Sequence, residues 1–214
     1  MFPVRDVIPS RTTPFVTIGL IAANILTFVY QLQLDRPQLY DLAHTRGVVP
    51  ADLVWPSLVT SLFVHDGWLQ FGTNMLYLWL FGENVEDAIG HAGYLLFYLA
   101  AGSGAALAHA ALHPSSLMPL IGASGAVAAV MGAYFVLYPK SQVLNVVFLI
   151  VYRDVIEVPA FLFLGLWLVL QLLTPLAPMG AQAADIGLSF DACIAGFALG
   201  AIVGFVQRRR RRWN

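Results

Sequence analysis

Six apolar runs, at about 15–30, 68–81, 94–112, 122–138, 158–173 and 188–206, divide this chain and leave few folds open to it. Inside hydrocarbon every backbone N–H and C=O has to be paired within its own segment or a closed barrel, so runs of this length are expected to be helices. The alternative of buried helices in a soluble domain fails on composition. The 214 residues are 59% hydrophobic and only 11% charged, and the mean hydropathy of +0.75 lies far outside the range of soluble domains. The expected fold class is an all-α membrane protein, a bundle of six transmembrane helices.

The polar segments between the runs give the organisation. Residues 1–14, MFPVRDVIPSRTTP, are polar and proline-rich rather than signal-like, so the first span is expected to remain in the mature protein. Residues 15–206 form the membrane domain. Within it, 31–66 is too polar to lie in hydrocarbon, yet it contains apolar pieces such as VVPADLVWPSLVTSLFV, which read as short helices of an interfacial loop domain. Six spans place both ends on one side. With the ends cytoplasmic, Arg5, Arg11, Lys140, Arg153 and Arg208 to Arg212 are inside and only Arg36 and Arg46 outside, as the positive-inside rule requires. The basic tail 207–214 follows an apolar span directly, so it reads as a cytoplasmic anchor near anionic headgroups and not as a nucleic-acid site. A single cysteine, Cys193, excludes an internal disulfide, no Cys/His cluster has zinc-ligand spacing, and nothing calls for a cofactor.

The most informative local sequence is LIGASGAVAAVMGAYFVLYP, Leu120 to Pro139. Gly122 and Gly125 flank Ser124 where a tight turn opens a helix, a setting that can present a hydroxyl and an N–H to a cavity. Small residues there serve close helix packing equally well. Gln70, Thr73 and Asn74 in the second span are polar groups at membrane depth that need partners inside the bundle. Gly196, Gly200 and Gly204 mark a packing face on the last span, whereas Phe161, Phe163 and Trp167 on the fifth read as lipid-facing. Glu83, Glu86 and Asp87 read as a solvated turn.

Several segments in order, TSLFVHDGWLQFGTNMLYLWLFGENVEDAIGHAGYLLFYLAAG, GASGAVAAVMGAYFVLYP, VPAFLFLGLWLVLQLL and ACIAGFALG, resemble the bacterial six-span rhomboids, a family of intramembrane serine proteases. The resemblance implies that Ser124 is the nucleophile position and that Asn74 belongs to an oxyanion hole. It also implies a structural role for His65 beside the loop and a bracing role for a glutamate in the turn after the second span. The chain departs from the family pattern twice. Gln70 stands where the second-span histidine is expected, four residues before Asn74, and Cys193 stands where the sixth-span base histidine is expected, ahead of the intact Gly196 and Gly200.

These departures have unequal weight. Gln70 still offers an amide donor for an oxyanion, or it serves with Asn74 as an ordinary interhelical hydrogen-bonder. A serine hydroxyl, by contrast, needs a neighbour to remove its proton, and a buried thiol is a poor base, so Cys193 reads first as a soft packing residue and second as a thiol nucleophile. His109 and His113 are the remaining histidines able to approach Ser124. The expectation is a non-catalytic rhomboid-like protein of the bacterial inner membrane that binds transmembrane segments of clients within the bilayer. The alternative is an active endopeptidase using Ser124 with an unconventional base. A transporter or channel ranks third, because the spans lack buried ionisable pairs.

Overall fold

A computed structural model describes residues 2–6, 12–149, 152–173 and 190–213. The apolar runs are helices of unequal length: α1 Phe15–Gln31, α4 Trp68–Ile89, α5 His91–Leu112, α6 Ser124–Leu137, α7 Ala160–Leu173 and α8 Phe190–Trp213. Among the described residues α5 and α8 combine the length and apolarity needed to cross a bilayer, while α1, α6 and α7 are shorter apolar helices. The segment before α4 folds as α2, Arg36–Arg46, and α3, Ser57–Thr60, with two single 3₁₀ turns. Asp35 and Gln38 open α2 with a reciprocal capping box, each side chain bonded to the other's backbone N–H.

α6 is the centre of the bundle, with Gly125 through Tyr134 all buried. Such a helix has no lipid-facing stripe, so its sequence is apolar all round and small, and its neighbours approach to backbone contact. Against α8 this contact is made by glycine on both sides. A Cβ on Gly196 would collide with the Gly125 carbonyl oxygen, one on Gly200 with that of Ala129, and one on Gly132 of α6 with that of Phe197. The packing face read from the last span is therefore realised, against the helix that carries Ser124.

Two sequence expectations need correction. The acidic stretch after the second span is not a solvated turn. α4 continues helically to Ile89, and Glu86 is 1% exposed. Its carboxylate accepts from the backbone N–H of Val16 at 2.9 Å and of Thr17 at 2.8 Å, and from the Thr17 hydroxyl at 2.7 Å. Pro14 gives α1 no side-chain cap, so Glu86 supplies the acceptor that the first-turn donors lack, with the sign that the helix dipole favours. His91 at the start of α5 reaches the same carboxylate at 2.6 Å, so one buried acid ties together one end of three helices.

Phe163, expected to face lipid, instead turns inward. Its ring lies 6.5 Å from that of Tyr77 and 6.4 Å from that of Phe81, and Trp167 stacks on Phe197 at 6.0 Å. Phe161 is 45% exposed and keeps the expected orientation. An apolar helix offers no polar stripe to show which of its faces is inside, and α7 carries a single polar residue, Gln171.

The described chain is not wholly helical. β1 Phe2–Asp6, β2 Gln142–Leu149 and β3 Tyr152–Pro159 form an antiparallel sheet in that order, with Phe2 opposite Val146 and Gln142 opposite Pro159. It follows α6 directly, and its third strand runs into α7.

Candidate functional site

Ser124 is the first residue of α6, and the turn before it is held by three neighbours. Gly122 has φ +113°, the left-handed region that a side chain resists, and its N–H donates to the Ser61 carbonyl at 2.9 Å. Leu120 exchanges backbone hydrogen bonds with Val48 in both directions, at 2.8 and 2.9 Å. From α4, the Gln70 side chain lies so close that a Cβ on Gly122 would sit 2.7 Å from its Nε2. The loop helices and α4 thus hold the GASG turn in place.

In front of Ser124 lies a cavity of about 370 Å³ between α4, α6, α7 and α8. All four residues singled out from the sequence, Gln70, Asn74, Ser124 and Cys193, line it. Apolar residues, among them Leu69, Val127, Met131, Trp167 and Phe190, make up most of the wall. Cys193 is 6% exposed, and its thiol lies beside the Ser124 hydroxyl and the side chain of Gln171. Gln171, on the helix whose aromatic residues read as lipid-facing, is a lining residue that sequence reasoning did not single out. Its signal is an amide in an otherwise apolar run.

The two amides of α4 differ in what they have free. Gln70 accepts through Oε1 from the Asp66 N–H at 2.9 Å and donates through Nε2 to the Ile121 carbonyl at 3.2 Å. It bridges the start of α4 to the GASG turn, leaving one amide hydrogen uncommitted. Asn74 is 5% exposed, and its Nδ2 has no hydrogen-bond partner. Leaving a buried donor unsatisfied costs about 1–3 kcal/mol, so a donor in this state at the wall of a cavity suits an acceptor that arrives from outside.

No histidine lines this cavity, although all five lie among the described residues. His65, 2% exposed, stands edge-on to Phe28 and Phe71, and burial pushes its imidazole down to about 4. Its backbone N–H and C=O are both bonded to the Gln31 amide, at 3.0 and 2.8 Å, consistent with a structural role beside the loop. His109 and His113 turn to Asp191 of α8 and not to Ser124. His109 Nδ1 lies 2.8 Å and His113 Nε2 3.0 Å from Asp191 Oδ2. Two histidines alone do not make a cluster, and the group they meet comes from 78 residues further along the chain.

A helical membrane bundle with a glycine-cradled serine at the head of its central helix, facing a cavity, defines the class to which this molecule belongs. A rhomboid domain model matches residues 52–210, and the chain belongs to the rhomboid family; it is an integral membrane protein. It is 30% identical over 170 residues to "Rhomboid protein 1, mitochondrial" of Saccharomyces cerevisiae, covering 73% of this chain and 44% of that protein. It is 38% identical over 73 residues to "Rhomboid-like protein 11, chloroplastic" of Arabidopsis thaliana, covering 34% and 26%. With "Rhomboid protease GluP" of Bacillus subtilis it shares 38% identity over 79 residues, covering 37% and 15%. The matches span less than half the length of these curated relatives.

Proposed function

We propose that this rhomboid is a non-catalytic binder of transmembrane segments of client proteins. The observation that carries the reading is Cys193 beside Ser124, a buried thiol next to the hydroxyl that an imidazole would have to deprotonate. A neutral thiol accepts a proton poorly near neutral pH, and the two histidines nearest in the chain to this end of the bundle are engaged by Asp191. The apolar cavity wall suits an apolar helix, whose unwound end would offer a carbonyl to Asn74.

A second reading, an active endopeptidase with Ser124 as nucleophile, rests on the unpartnered Asn74 donor. With Gln70 and the Ser124 N–H, it would complete an oxyanion hole that a pure binder does not need. The protein in lipid vesicles, given a fluorescent single-span substrate, separates the two. The expected result is saturable energy transfer with no cleavage and no change on Ser124→Ala. Cleavage by the unmodified chain that Ser124→Ala abolishes would overturn the first reading in favour of the second.

In the bilayer we place six spans within 15–206, both ends of the chain in the bacterial cytoplasm, the 31–66 segment at the opposite interface and the basic 207–214 tail against anionic lipid. The asymmetry of Lys and Arg supports this orientation. A compartment-sensitive reporter fused to the C-terminus is expected to be active only as in the cytoplasm, and a periplasmic signal would reverse the assignment.

A further inference from the structure

The end of α5 and the first turn of α8 bring together three side chains that the cavity chemistry does not use. His109 lies in the last turn of α5 and His113 is the residue that caps it, with ring centroids 4.8 Å apart. Both rings turn a nitrogen to Asp191, and one donor atom from each of the three residues fits within 4.8 Å of the other two. We propose that His109, His113 and Asp191 form a binding site for a divalent transition-metal ion of the zinc class, joining α5 to the start of α8 two residues before Cys193.

Two imidazoles and one carboxylate are a donor set that zinc and neighbouring first-row ions take readily, with a fourth position left for water. Zinc bonds to nitrogen and oxygen are about 2.0–2.2 Å, so tetrahedral ligand atoms stand roughly 3.4 Å apart. The nitrogen-to-Oδ2 separations of 2.8 and 3.0 Å need to open only slightly, while the remaining pair, within 4.8 Å, has to close.

The side chains best placed to adjust are also the accessible ones. His113 is 52% exposed, and offers the entry path for a hydrated ion. His109 is 14% and Asp191 23% exposed, so the far side of the site is partly desolvated. The carboxylate is further oriented by the Ala192 N–H, which donates to Oδ1 at 3.0 Å, the kind of outer hydrogen bond that fixes a metal-ligating group. His109 and His113 supply two ligands from the end of α5, and the third comes from the helix whose position it would hold.

The test uses full-length protein with its affinity tag removed, in detergent, titrated with Zn²⁺ by calorimetry and with Co²⁺ by visible absorption. One Zn²⁺ per chain and cobalt bands of four-coordinate type are expected. His113→Ala, at an exposed helix end, should weaken binding at least tenfold, and Asp191→Asn should do the same. His44→Ala, on α2, should leave the metal affinity unchanged. Absence of saturable binding, or binding that His113→Ala leaves intact, overturns the site. Should Asp191→Asn fail to fold, the His113 variant decides alone.

Discussion

Gly200→Ala is expected to cost the protein most of its folded yield, although it adds a single methyl group. The Cβ would be placed inside the Ala129 carbonyl oxygen, with Gly196 held as closely by Gly125 a turn before, and a Cβ on Gly204 would lie only 2.8 Å from the Ala133 carbonyl oxygen. Overfilling an ordinary core costs about 1–3 kcal/mol because side chains give way. Here the obstacle is main chain, so α6 and α8 have to part, and a loss above ~3 kcal/mol follows. Gly19→Ala is the control. It lies inside α1 with nothing within 4 Å of its Cβ position, so alanine should be neutral or stabilise by about 0.5–1 kcal/mol through helix propensity. Monodisperse yield and the thermal midpoint in detergent measure both. Similar behaviour of the two variants would refute the α6–α8 contact.

Cys193→His is expected to give the largest change in chemistry. It places an imidazole at the position whose side chain already meets Ser124, beside a cavity of about 370 Å³ that can take the extra volume. Removing one member of a hydrolytic unit typically costs roughly 10⁴- to 10⁶-fold in turnover. Restoring one in an otherwise formed site should therefore raise fluorophosphonate labelling at Ser124 by at least about 10²-fold, allowing for imperfect alignment. Adding Gln70→His should help little or even harm, because Gln70 bonds both Asp66 and Ile121 and so supports the turn that presents Ser124. A folded Cys193→His variant that labels no faster than the parent would mean that something besides the missing base disables the site.

Much of this arrangement was legible beforehand, and the reason differs from feature to feature. Hydropathy located the helices because a bilayer leaves the backbone no alternative. The glycine repeat at 196, 200 and 204 announced a close helix contact, since small residues four apart share a face. The order of the motifs pointed to Gln70, Asn74, Ser124 and Cys193, which the cavity brings together. What stayed hidden were pairings between distant segments. Glu86 looks solvated until α1, some 70 residues earlier, presents its bare N–H groups. The strand Phe2–Asp6 has no partner until Gln142–Leu149 lies beside it. Asp191 is one more carboxylate at a helix start until the end of α5 meets it. Phe163 is hard to orient because α7 carries only one polar residue, Gln171, to mark its inward face.

The glycine seam between α6 and α8 also bears on how chemistry at this site can be changed. Gly125 is the residue after Ser124, and Gly196 stands one helical turn after Cys193. The main-chain contact between them sets the separation of the two positions, without relying on the fit of either functional side chain. The frame around position 193 is thus built from main chain and not from the side chain it carries, so a substitution there is expected to change what faces the hydroxyl while leaving the hydroxyl itself in place.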